Sequence, residues 1–233
     1  MFSTSDLERW FIKRNPKFLE HNGLMDSFET LWDYRSQVRA LYQSVRDAQT
    51  LQGANLSEVH RAFCLARDRL FRDHPQSALA ANQKRHFQGL EYFRYDPALR
   101  FLLPLDLNVK PDTLEFQISE GTVQAERFAR VEFVVQDVLC SLSLFWLLGY
   151  GGGVFLPFGD QTNNHQTYGG GRYLLDTIKH ADLGRIGDSV VIDFNYAYNP
   201  SCAYNPRWSC PLTPLENRLK VALEAGEKMF LEP

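Results

Sequence analysis

The chain has 233 residues, a formal net charge of −3, 44% hydrophobic and 23% charged residues, which suits one large domain or a domain with a helical extension. That charge exerts no long-range pull toward nucleic acid or anionic lipid, so neither is an expected partner. No basic region followed by an apolar stretch opens the sequence, so the expected location is the cytoplasm.

The first segment, residues 1–86, reads as helical. Asp26-Ser-Phe-Glu29 resembles a capping box, and Phe28, Leu31, Trp32, Val38, Leu41, Tyr42 and Val45 recur at helical spacing. Gly53-Ala-Asn breaks the pattern. Ser57 is then the expected N-cap of a second helix carrying Val59, Phe63, Ala66 and Leu70, which ends before His74-Pro75.

From Phe87 the period switches to two, and residues 87–233 read as an antiparallel β domain. Phe101 to Leu107, Leu114 to Ile118, Ala129 to Val135 and Val190 to Tyr196 each alternate apolar with polar residues. Val138 to Gly159 carries no charge, yet its clustered glycines and Pro157 mark two buried strands joined by a turn rather than a membrane helix. With Tyr168 to Asp176 and Lys220 to Glu224 the count is about eight strands. Short connections make them antiparallel neighbours, so the expected class is α+β with a barrel-like or strongly curled sheet.

Polar, glycine and aromatic residues concentrate in two runs. The first is Asp160-Gln-Thr162-Asn-Asn-His165-Gln-Thr167-Tyr168-Gly-Gly-Gly171-Arg172, and the second is Asp193-Phe-Asn195-Tyr-Ala-Tyr198-Asn199-Pro200-Ser-Cys202-Ala-Tyr204. Glycine in a strand costs roughly 0.5–1 kcal/mol, so three together imply a close backbone approach or unusual dihedrals.

These runs, together with Cys210-Pro211, Pro214, Glu216-Asn217-Arg218-Leu219 and Ala225-Gly226-Glu227, resemble the bacterial DUF1684 family. Leu70-Phe-Arg-Asp-His74-Pro-Gln-Ser77 and Phe87 to Pro97 are similar to it as well, so the resemblance runs from about Leu70 to Lys228. It implies membership of a group to which no activity is assigned.

If Tyr168 begins a strand, Tyr168, Gly170, Arg172 and Leu174 share a face, and Gly170 leaves a notch between a hydroxyl and a guanidinium. A guanidinium fork there suits a carboxylate or phosphate. The alternative is that Arg172 pairs with Asp160 or Asp193 and braces the sheet. Asp193 and Asn195 fall on the face opposite Ile192 and Phe194, where Asp193 could act as a general base or hold the following turn. Three readings stay open for Cys202 and Cys210: packed thiols, a disulfide, or two metal ligands with His165 as a third. Glu216 could cap a short turn, and Glu227 is expected to be exposed.

No Walker loop, dinucleotide fingerprint, Gly-x-Ser-x-Gly elbow or His-Glu-x-x-His motif is present. No cofactor or metal is therefore expected, and oligomeric state is left open. The leading expectation is a barrel that binds a small anionic molecule. Its site would be formed by Asp160, Thr162, Thr167, Tyr168, Gly170, Arg172, Asp193, Asn195, Tyr198 and Asn199, with the Cys202, Tyr204 and Cys210 loop at one end. One alternative is a hydrolase-type enzyme using Asp193 or Asp160 as base, with Tyr168 and Arg172 stabilising charge. The other is a structural or assembly factor that binds a protein partner.

Overall fold

In the computed structural model of the chain, residues 28–118 and 121–231 are described. They fall into two compact units meeting at Leu90/Glu91, each taken by itself below.

The first unit is helical. Helix α1 (Phe28–Gln49) buries Val38, Leu41, Tyr42, Val45 and Ala48. Helix α2 (Leu56–Asp73) answers with Val59, Phe63, Ala66 and Leu70. Tyr42 meets Phe63 edge-on at 5.2 Å. Phe28 and Trp32 depart from the expected apolar face, being 95% and 74% exposed. Asp26 of the expected capping box lies outside the described residues.

The N-cap of α2 is Asn55, not Ser57. Its extended backbone aims the side-chain oxygen at the Ser57 and Glu58 amides, at 3.1 and 3.4 Å. The helix stops ahead of Pro75, as expected, and is followed by a short helix α3 (Ala81–His86).

The second unit holds eight antiparallel strands: β1 (Arg100–Pro104), β2 (Thr113–Ile118), β3 (Gly121–Val135), β4 (Val138–Leu147), β5 (Gly153–Phe158), β6 (Arg172–Asp176), β7 (Arg185–Ile186) and β8 (Ser189–Asp193). They form a five-stranded sheet, β2-β3-β4-β5-β6, and a three-stranded sheet, β1-β8-β7. Among the described residues the ladders stay as two sheets and do not close into one ring. An α+β protein with about eight antiparallel strands is thus what the alternation foretold.

Apolar residues of both sheets share one core, in which Phe194 meets Phe101, Phe133 and Phe158 at ring distances of 6.1, 5.3 and 5.2 Å. A second cluster gathers Phe116, Phe145, Phe155 and Tyr173 on the five-stranded sheet. The uncharged stretch from Val138 is indeed two strands with a turn through Gly149 to Gly152. No helix among the described residues is long and apolar enough to cross a membrane.

Three strand expectations change. The run from Val190 ends at Asp193, where a 3-10 turn, Phe194–Tyr196, begins. Lys220 to Glu224 opens on a bend and belongs to no ladder, and the two-residue β7 replaces it in the count. The third concerns the glycines. The chain turns through Tyr168 to Gly171, and β6 starts only at Arg172. Gly171 has φ +92°, and a Cβ there would collide with the Thr213 side chain and the Phe158 carbonyl. Only glycine satisfies both conditions.

Replacing Gly171 with Ala should therefore destabilise the fold by about 3 kcal/mol or more, from backbone strain plus a clash. The same change at Gly187, where φ is +57° and the space is open, should cost only about 1 kcal/mol. Urea unfolding of the two variants gives the comparison, and equal losses would sink this account of Gly171.

Candidate functional site

The sequence candidates resolve into three separate places. The first is built on the register of β5 and β6, which sets Arg172 opposite Phe158, so that the guanidinium lies 5.0 Å from that ring centroid. Asp160, two residues beyond Phe158, receives Arg172 Nη2 at 2.9 Å, and both side chains are 0% exposed. Nη2 also donates to the Leu223 carbonyl at 3.1 Å. Nη1 donates to the carbonyls of Ala225 and, at 3.2 Å, of Glu227.

The turn after Asp160 is held from within. Asp160 Oδ1 accepts from the Thr162 amide and hydroxyl at 2.8 and 2.6 Å. The Thr162 and Thr167 hydroxyls meet at 2.7 Å. Asn163 spans the turn, accepting from the Asp160 amide and donating to the Tyr168 carbonyl. His165 sits exposed on this turn.

The network continues through Glu227. Contrary to its expected exposure, this residue is 1% exposed. Its carboxylate accepts from the Asn199 amide at 2.6 Å and from the Tyr204 hydroxyl at 2.7 Å. Asn199 Nδ2 donates to the Lys228 carbonyl. Asp160, Thr162, Thr167, Arg172, Asn199 and Tyr204 thus form one buried system that fastens the segment from Leu223 to Lys228. Burial works against the Arg172 charge and lowers its pKa, and the Asp160 carboxylate opposes that; an arginine stays protonated regardless. Neither Arg172 nor Asp160 reaches an open notch.

The second place is formed by β1 and β8, whose register pairs Arg100 with Asp193. Asp193 Oδ1 accepts from the Asn195 amide at 3.0 Å and its side-chain nitrogen at 2.8 Å. Asn195 exchanges two further bonds, both 2.8 Å, with the Asp96 backbone. Asp193 caps the turn that ends its strand. It does not point to a second face, as a longer strand would require, and is 2% exposed. Burial pushes its carboxyl up to about 6, against the opposing Asn195 donors and the Arg100 charge. The Tyr95 hydroxyl is pushed to about 12 by burial and by the Asp193 charge.

At the third place, three of the candidate site residues line open space. Tyr168, Cys202 and Cys210 border a cavity of about 540 Å³, with Phe116 of β2, Trp208 and Leu212. Tyr168 Oη lies 3.5 Å from Cys202 Sγ. The notch expected at Gly170 is filled, because a Cβ there would strike the Tyr168 ring and approach Leu212.

Neither cysteine is disulfide-bonded, and both are half-buried. The Cys210 thiol and the Tyr168 hydroxyl both hydrogen-bond to Cys202, bringing its thiol down to about 6. The same contact pushes Cys210 up. Burial and the Cys202 contact raise Tyr168 to about 12. No group of three or more metal-ligating side chains that could hold a metal ion occurs among the described residues.

Tyr198 serves the scaffold: its backbone pairs with Tyr173, and the two rings meet edge-on at 5.7 Å. Glu216 binds Arg127 at 2.8 Å and the Ser143 hydroxyl at 2.6 Å. Beside it, Asn217 bonds both backbone groups of Ser143 and the Pro157 carbonyl. Sequence reading missed Trp208 and Leu212 as cavity walls, although a Trp in a proline-rich loop was a usable signal. It also missed a larger cavity of about 1060 Å³ running past Tyr95, Asp96 and Gln136, which carries no distinctive motif chemistry.

A helical unit and a two-sheet antiparallel β unit, the latter with a buried arginine fastening its last segment, define the class of protein. The chain belongs to the DUF1684 family, described as a protein of unknown function, whose model matches residues 85–228. It is similar to the solution NMR structure of an uncharacterized protein of Haloarcula marismortui, at 33% identity and a TM-score of 0.52. That likeness covers 74% of this chain and 94% of the other, and it extends the resemblance to an archaeon. No curated protein matches the chain.

Two outcomes follow from these placements. Arg172→Met keeps packing on Phe158 but strands a buried carboxylate and three carbonyls, and should cost about 3–5 kcal/mol in urea unfolding; a loss under about 1 kcal/mol would refute the fastening role. The second concerns pH. The Asp193 carboxyl sits at about 6 when folded against 3.8 ordinarily, so the folded state holds this proton longer than the unfolded chain. Its effect on stability is absent below about pH 4, grows unfavourable as pH rises through about 6, and is complete above that. Asp193→Asn should gain stability relative to the parent chain across this window. A flat difference between the two urea midpoints from pH 4 to pH 7 would count against it.

Proposed function

We propose that this chain is a small-molecule-binding protein whose site is the 540 Å³ cavity between β2 and the cysteine loop. One observation carries the reading: three of the candidate site residues, Tyr168, Cys202 and Cys210, border one and the same open space. The size is within the range of ligand pockets, and walls of Phe116, Trp208 and Leu212 with a few convergent polar groups fit that description.

The ligand class is a compact apolar molecule that can accept a hydrogen bond or engage a thiol. The anionic ligand expected from the sequence relied on Arg172, whose terminal nitrogens are all engaged within the protein. No lysine or arginine lines this cavity. The hydrolase alternative draws less support, because Asp160 and Asp193 are buried and hydrogen-bonded to their neighbours. Neither nucleic acid nor a membrane is a proposed partner. A cytoplasmic location is part of the same proposal, since a reducing compartment keeps such thiols unpaired.

The neutral dye N-phenyl-1-naphthylamine should bind with enhanced fluorescence. Leu212→Trp, which fills the mouth of the cavity, should weaken it about tenfold, corresponding to about 1.4 kcal/mol, without lowering thermal stability. Equal dye affinity for the two proteins would overturn the assignment.

A further inference from the structure

Cys202 and Cys210 are separated by seven residues of a loop whose two ends are independently fixed. Near the first cysteine, the 3-10 turn Ser201–Ala203 is tied by backbone bonds from Ala203 to Pro200 and from Tyr204 to Ser201. Tyr204 itself is held by Glu227 at 2.7 Å. Next to the second, the Pro211 carbonyl accepts from the Tyr173 hydroxyl at 2.6 Å. Pro200, Pro206 and Pro211 stiffen what lies between. The loop therefore sets both thiols on the wall of one open cavity, with a tyrosine hydroxyl on one of them.

A packing role does not require that arrangement. Cys140, the buried cysteine of β4, sits in the apolar core, and Cys64 neighbours His60 in the helical unit. Neither lines the cavity that Cys202 and Cys210 share. A metal site is not indicated either, as no third ligand joins the pair among the described residues.

We infer that Cys202 and Cys210 form a redox-active dithiol that reduces a low-molecular-weight disulfide admitted to the cavity. The inference rests on the proposed function only in taking this cavity as the entry route. Cys202 is the attacking sulfur, because the Tyr168 hydroxyl, 3.5 Å away, donates to it and stabilises its thiolate. The Cys202 thiolate, having given its proton to solvent, attacks one sulfur of the probe. An S–S bond forms between Cys202 and that half, and the other half departs as a thiolate. The departing thiolate takes the Cys210 proton. The Cys210 thiolate then attacks the Cys202 sulfur and expels the second half, which is protonated by solvent. Two protein thiols are oxidised to one disulfide, and one small disulfide is reduced to two thiols. Tyr168 is a positioning residue in this scheme.

The test treats the reduced full-length protein with bis(2-hydroxyethyl) disulfide at neutral pH, followed by acid quenching, intact mass measurement and peptide mapping. The expected product has lost two hydrogens and carries a Cys202–Cys210 cross-link. It releases two equivalents of 2-mercaptoethanol and reverts with dithiothreitol. Cross-linking should outpace modification of Cys64 and Cys140 in the same molecules by about tenfold or more. Cys210→Ser should stop at a mixed disulfide on Cys202, and Cys202→Ser should leave Cys210 as unreactive as Cys140. Tyr168→Phe should slow the first step while the cross-link still forms. A wild-type protein that forms no Cys202–Cys210 cross-link, or that accumulates an unresolved mixed disulfide, overturns the inference whatever the variants do. Failure of the ligand proposal would show separately, as dye binding indifferent to Leu212→Trp, because that measurement needs no thiol chemistry.

Discussion

The buried guanidinium of Arg172 is the constraint on which the β unit depends. Removing it from water is costly, and Asp160 alone would not offset the loss of hydration. The carbonyls of Leu223, Ala225 and Glu227 add acceptors for its two terminal nitrogens, and the Phe158 ring lies against the cation. In exchange, a segment with no sheet ladder of its own acquires fixed partners for its backbone. The Leu223 amide is likewise held by Asp160 Oδ1 at 3.3 Å, and the Gln161 amide by the Val221 carbonyl. An irregular stretch can be buried only when its polar groups are answered in this way.

The same segment links scaffold to cavity. Arg172 holds the backbone of Glu227, whose carboxylate holds Tyr204, two residues from Cys202. From the other side, Tyr173 of β6, adjacent to Arg172, holds Pro211 beside Cys210. The position of the two sulfurs is thus set by groups that never touch them. This division explains why so many distinctive polar residues are sealed: they position a loop rather than meet a ligand.

Much of this architecture could be read directly. Alternation at Ala129 to Val135 and the glycine turn after Leu148 are local signals, and they gave correct strands. The Asp160–Arg172 pair was among the readings left open. What failed was phase. Assigning Tyr168 and Arg172 to one face assumed continuous strand, and the positive φ of Gly171 breaks that assumption. Lys220 to Glu224 has an alternating pattern because it is buried on one side, but its backbone partners are side chains and the Gln161 amide. Glu227 was illegible for a different reason: nothing local distinguishes a buried carboxylate from an exposed one when its donors lie 23 and 28 residues away. Residues Trp208 and Leu212 became cavity walls only through the packing of β2 against their loop.

The sequence distance between the arginine and its carbonyls has a consequence during synthesis. The Leu223 and Glu227 carbonyls follow Arg172 by 51 and 55 residues, so the nascent strand β6 is made roughly 3–10 s before its acceptors at common translation rates. For that interval the cation must remain hydrated, and the sheet face it later occupies stays open to water. The β unit therefore closes its interior only after the stretch from Leu223 to Glu227 has been made and released from the ribosome.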